Sequence, residues 1–167
     1  GAERVFKILD NKPKIKQIES LPAIKINTGS IEFKNVNYVY PNTSAQAVKN
    51  INITIKGGST AALVGHSGAG KSTIINLLPR FYDPKDGVIN IDGQNISKVK
   101  LSSLRKSISM VSQDIILFDD SVSANIRYAK MDATDEEINK ACEFAAASDF
   151  IKDLPKSYDT MIGENGV

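Results

Sequence analysis

The sequence predicts an α/β fold, in which an antiparallel β segment leads into a core built around a glycine-rich loop. Three observations carry this. Apolar residues alternate with period two between residues 31 and 56, as half-buried strands do. The short apolar run Thr60–Val64 feeds directly into the loop Gly65–Gly70. A helical pattern begins at once after the loop and is stopped by Pro79.

The bulk numbers narrow the class. The chain has 167 residues, 41% of them hydrophobic and 24% charged, which is the composition of one globular domain and excludes disordered and collagen-like classes. A net charge of +2 without a block of like charges gives no footprint for nucleic acid. Cys142 stands alone, so no internal disulfide is possible, and the residue reads as a small buried helix residue. No apolar run approaches the ~20 residues of a membrane-spanning helix. The N-terminus carries no signal-peptide pattern. These residues therefore read as soluble by themselves, with a membrane partner or an upstream membrane domain left open.

Along the chain, residues 2–9 form a short helix with Val5, Ile8 and Leu9 on one face. Pro13, Pro22 and Gly29 mark residues 10–30 as a linker. Ile31 and Phe33 alternate in one phase, then Val36, Tyr38 and Tyr40 in the other, which predicts a bulge near Lys34–Asn35. Pro41-Asn42 is a turn, and Ile51, Ile53 and Ile55 form a strand broken by Gly57-Gly58. Strands are expected at Thr60–Val64, Val88–Ile91 and Ile108–Val111, and helices at 72–78 and 101–106. Thr134 and Glu137 have the spacing of a capping box, followed by an apolar stripe of Ile138, Ala141, Cys142 and Ala145.

The chemistry sits in residues 65–72, Gly65-His66-Ser67-Gly68-Ala69-Gly70-Lys71-Ser72. This is the pattern G-x-x-x-x-G-K-[ST], with an apolar strand expected before it and a helix after it. Glycines let the main chain curl so that several N–H groups meet one anion. The helix that follows adds its positive end. Lys71 supplies a point charge for the β- and γ-phosphates, Ser72 a hydroxyl for Mg²⁺, and Thr73 a hydroxyl near the α-phosphate. The motif specifies nucleotide phosphate binding and leaves the base and the reaction open.

Three other residues stand near that chemistry. His66, the single histidine, reads as a loop residue framing the phosphates rather than a catalytic base, because the motif accepts any residue there. Tyr40 reads either as a core aromatic or as a platform for an adenine face. Gln113 follows an expected buried strand, the side on which open α/β sheets bind ligands.

From about Ile31 to Val167 these residues resemble the ATP-binding domain of ABC exporters, particularly the multidrug and lipid A exporter group. The resemblance rests on Val36–Pro41, Gly65–Ser72, Arg80–Pro84, Gly87–Gly93, Val111–Asp114 with Leu117-Phe118, Asn125–Tyr128 and Tyr158–Gly166. It implies an α/β P-loop NTPase core with an antiparallel β subdomain and the start of an α-helical subdomain near residue 121. It makes residues 1–11 the tail of a last transmembrane helix and residues 12–30 a linker. It places Tyr40 on the adenine, and Gly65 to Thr73 around the phosphates. It makes Lys71 and Gln113 catalytic, and Ser72 and Gln113 contacts of Mg²⁺. The implied ligand is ATP·Mg²⁺. The implied partners are a transmembrane domain and a second ATP-binding domain at the cytoplasmic face of a membrane, with a bacterial inner membrane the expected one.

The sequence also departs from that family. It ends at Val167, where the family continues into a Leu-Ser-Gly-Gly-Gln signature, and no apolar strand ending in Asp-Glu is present. His66 lies in the loop, so the family's switch histidine is missing as well. The expectation is a chain that binds nucleotide without turning it over and that self-associates through uncovered apolar surface. Another P-loop enzyme is the competing class. A GTPase should show Asp-x-x-Gly and Asn-Lys-x-Asp, and neither occurs.

Overall fold

Nine residues of mixed polarity, Ile31–Val39, form the central strand β1. β2 (Gln46–Ile55) pairs with it on one side and β3 (Asp86–Ile91) on the other, both antiparallel. The short β4 (Gln94–Asn95) closes the order β2-β1-β3-β4. The computed structural model describes residues 2–10, 13, 15–41, 43, 45–112 and 116–163, which divide into two units, Gly1–Met110 and Val111–Val167.

The predicted bulge is present. The β1–β2 register runs Ile31↔Ile55 and Phe33↔Ile53, then shifts before Val36↔Ile51. Asn35 takes φ 50 there, and its amide donates 2.9 Å to the Asn52 side chain. The extra residue puts Phe33, Val36 and Tyr38 all into the core despite their change of phase. Behind the sheet pack α2 (Lys71–Leu77) and α3 (Leu101–Lys106). Their inward residues Leu77 and Leu104 are fully buried, as are Val36 and Ile89 of the strands. α1 (Ala2–Leu9) shows Val5 and Leu9 to solvent; the side chain of Ile8 lies outside the described residues.

Two expected strands are absent. Neither 60–65 nor 108–112 joins a ladder. An apolar run specifies burial, but a strand also needs a neighbour for its N–H and C=O groups. Among the described residues none lies alongside, and Val64 and Val111 are 93% and 94% exposed.

The turn Asp92-Gly93 is more than a strand end. The Asp92 carboxylate accepts from the amides of Asn27 (2.7 Å), Thr28 (3.1 Å), Gly29 (3.0 Å) and Ser30 (2.9 Å). It also accepts from the hydroxyls of Thr28 (2.6 Å) and Ser30 (3.0 Å). The Thr28 hydroxyl first, then these amides, hold its carboxyl far below the usual carboxylate range. The segment entering β1 is thereby fastened to the β3–β4 turn. A carboxyl with a depressed folded pKa adds stability that is complete above its unfolded value of about 3.9 and is lost as pH falls below it. Asp92→Ala should therefore speed tryptic cleavage after Lys25 at neutral pH. An unchanged cleavage rate would contradict the anchor.

The second unit is helical. α4 (Val122–Arg127) starts at Ser121, whose hydroxyl accepts from the Ala124 amide at 3.1 Å. α5 (Asp135–Phe144) carries the predicted capping box: the Glu137 amide donates to the Thr134 hydroxyl (3.2 Å), and the Thr134 amide to the Glu137 carboxylate (3.0 Å). α6 (Ser148–Lys152) follows, and a two-stranded ladder joins β5 (Asp120–Ser121) to β6 (Met161–Ile162). Val122, Ile138, Cys142 and Ile151 are the centre of this unit's core. Ala141 and Ala145 are exposed, so the apolar stripe of α5 is narrower than its sequence suggests. No helix among the described residues is long and apolar enough to cross a membrane.

Candidate phosphate-binding site

Residues 65–70 curl rather than extend. Gly68 and Gly70 sit at φ 81 and 86, and the Ala69 amide turns back to the His66 carbonyl at 3.2 Å. Both conformations belong to the left-handed region that glycine occupies without penalty. Gly70 has a second reason to be glycine. A Cβ there would lie 2.5 Å from the Ala47 carbonyl oxygen and 2.9 Å from Val48 Cγ1. The loop thus rests against the start of β2, and the sheet fixes its position.

Gly70 is also the N-cap of α2, with no side-chain cap. Among the described residues, the amides of Ser67, Gly68, Gly70, Lys71, Ser72 and Thr73 donate to no protein acceptor. Helix N-termini leave such donors to water, caps or ligands. Here they gather at one solvent-open loop, the arrangement that receives an anion.

Lys71 Nζ folds back over the loop and donates to the carbonyls of Gly65 (2.6 Å) and His66 (2.8 Å). The ammonium is therefore already at the mouth, held by two neutral acceptors that a phosphate oxygen outcompetes. Ser72 is exposed and its hydroxyl has no protein partner among the described residues. His66, Ser67 and Ala69 are exposed as well. No group of three or more His, Cys, Asp or Glu able to hold a metal occurs among the described residues. Mg²⁺ needs no such group, because it is bound by one or two protein oxygens together with substrate phosphates and water. The Ser72 hydroxyl fits that modest requirement.

Thr73 behaves differently from its neighbours. Its side chain is 5% exposed, and its Oγ1 lies 3.0 Å from the Tyr40 hydroxyl. The Tyr40 ring meets Tyr38 edge-on at 5.0 Å between centroids and Tyr82 at 5.5 Å. The structure thus brings Tyr40 to the helix that follows the loop, at the end of β1. Gln113 lies outside the described residues. Sequence reasoning passed over Tyr82 and Asp92. Tyr82 had a signal, an aromatic in a loop closed by Asp83-Pro84; Asp92 had only the Thr28 to Ser30 stretch far away in sequence.

The model of the family described as ABC transporter matches residues 48–165. An ATP-dependent lipid A-core flippase of Legionella pneumophila (strain Paris) is 46% identical over 167 residues, covering 100% of this chain and 28% of that protein. ABC transporter B family member 2 of Dictyostelium discoideum is 43% identical over 170 residues, covering 100% of this chain and 12% of that protein. A solved structure of a bacterial Atm1-family ABC exporter with ATP bound superposes with a TM-score of 0.89 at 40% identity, covering 99% of this chain and 29% of that one. The chain therefore spans little more than a quarter, or less, of the proteins it resembles. A curled loop backed by a sheet, a lysine at its mouth and a family match over most of the sequence agree: this chain belongs to the ABC transporter family, within the ATP-binding domain of its exporters.

Proposed function

We propose that this chain is the nucleotide-binding front part of an exporter's motor, which couples ATP hydrolysis to the export of lipid or hydrophobic compounds. The observation that carries the reading is the loop: six amides, of Ser67, Gly68, Gly70, Lys71, Ser72 and Thr73, without a protein acceptor, beside an ammonium group that is tethered only to main-chain carbonyls. Lys71 exchanges those carbonyls for the β- and γ-phosphates of ATP. The amides of Ser67, Gly68, Gly70, Lys71, Ser72 and Thr73 take the remaining phosphate oxygens. Ser72 lends its hydroxyl to Mg²⁺, which neutralises the charge that develops on the phosphates. Tyr40 offers its ring to the adenine. Gln113 meets Mg²⁺ and the attacking water. Relatives named as a flippase and an exporter support a transmembrane domain as partner; a second ATP-binding domain and a place at the cytoplasmic face of a membrane complete the reading.

The 167 residues alone bind ATP·Mg²⁺ and do not turn it over. Phosphoryl transfer needs a group that positions or deprotonates water as well as a cradle. Such a group contributes about 10²–10⁴-fold. The sequence supplies the cradle but no apolar strand ending in Asp-Glu, and Asp92, which follows β3, is committed to the amides and hydroxyls of residues 27–30. Titration should show saturable ATP·Mg²⁺ binding, with phosphate release no faster than in a protein-free blank. Steady release that tracks the purified chain and vanishes in Lys71→Ala would contradict this reading.

A further inference from the structure

A ring that recognises a base by stacking works only if its plane is fixed beforehand, since ordering it on binding subtracts from affinity. Tyr40 stands where a strand ends, so its backbone alone does not fix the ring. Two contacts do. Its hydroxyl is paired with buried Thr73 in the first turn of α2, at 3.0 Å. Its ring stands nearly perpendicular to Tyr38 (83°) and Tyr82 (81°). Neither ring lies parallel over Tyr40, so neither occupies it as a base would.

Tyr82 is itself braced. Buried Arg80 forks onto the Asp83 carboxylate at 2.8 and 2.9 Å and donates to the Ile96 carbonyl at 3.3 Å. Arg105 donates to the carbonyls of Pro79 (3.0 Å) and Arg80 (2.9 Å). The segment carrying Tyr82 is thus held by its own ion pair and main-chain contacts, independently of any ligand.

We infer that Tyr82 and Thr73 are positioning residues that hold the Tyr40 ring for base recognition, one by its ring and the other by its hydroxyl. This rests on the reading that Tyr40 meets the adenine. Thr73 then links the phosphate helix to the base platform, so the two ends of the nucleotide are read by one connected set of side chains. The aromatic contact sets how much the base adds to affinity, and it leaves the triphosphate contacts alone.

The test compares ATP·Mg²⁺ with inorganic tripolyphosphate·Mg²⁺ on the 167-residue chain, by calorimetry. The ratio of the two affinities reports what the adenosine end adds, and the ring of residue 40 acts on its base. Tyr82→Leu should lower that ratio about fivefold, a part of what base–aromatic stacking contributes. Tyr82→Phe should restore it, and Thr73→Val should lower it about twofold or more, the share of one neutral hydrogen bond. A ratio unchanged in Tyr82→Leu and Thr73→Val overturns the inference. So does equal loss of both ligands, which would mean that Tyr82 only holds the unit together, or a Phe variant that fails to restore the ratio. Tyr40→Ala separates the layers. If it leaves the ratio unchanged, the base reading itself fails. If it lowers the ratio while Tyr82→Leu matches the wild type, only the positioning role fails.

Discussion

Lys71→Ala removes ATP·Mg²⁺ binding and leaves the fold in place. The ammonium is the one cation within the loop, and its hydrogen bonds to phosphate are charge-assisted. Losing it leaves phosphate charge facing only neutral amides. Such contacts contribute about 3 kcal/mol, or roughly 150-fold in affinity. In the free chain the same ammonium touches only the Gly65 and His66 carbonyls, both at the surface, so its removal should leave the thermal midpoint nearly unchanged. Calorimetry with ATP·Mg²⁺ and a melting curve on the same sample check both halves. Unchanged affinity would remove the site from residues 65–73. A collapse of the midpoint would make Lys71 a structural residue.

Gly70→Ala should damage stability and binding together. Its φ of 86 places any side chain in the left-handed region, which costs about 1–2 kcal/mol. The added Cβ would also press to 2.5 Å on the Ala47 carbonyl oxygen, which is main chain and cannot swing aside. The loop must then lift from β2, for a total of about 3 kcal/mol. The amides that it aims would lift with it. Gly68→Ala is the matched control. Its φ of 81 carries a similar backbone penalty, but its Cβ would meet nothing within 4 Å. Melting curves should therefore rank Gly70→Ala well below Gly68→Ala, and both below the wild type. Equal midpoints for the two variants would mean that the loop does not rest on the sheet.

Local signals were legible in the sequence where one stretch of chain decides its own outcome. The phase change between Phe33 and Val36 gave away the bulge, because a one-residue slip is the only way to bury both sets. The spacing of Thr134 and Glu137 gave away the capping box, because its donors and acceptors lie within one turn. The curl of residues 65–70 followed from its glycines and the helix after it. Outcomes that depend on distant partners were not legible. Thr60–Val64 and Ile108–Val111 read as strands by composition, yet pairing depends on a neighbouring strand that no local pattern reveals. Nothing near Asp92 in the sequence marks it as an anchor, because its six donors lie 62 to 65 positions earlier. The pairing of Thr73 with Tyr40, 33 residues away, was equally hidden, because only the fold brings the two hydroxyls together.

On this reading the free amides between Ser67 and Thr73 receive one triphosphate. Amide ¹H–¹⁵N shifts during an ATP·Mg²⁺ titration test it most directly. The largest shifts should fall on Gly68, Gly70, Lys71 and Ser72, saturate together, and disappear in Lys71→Ala. Shifts that leave these amides still while others move, or that persist unchanged in Lys71→Ala, would contradict it.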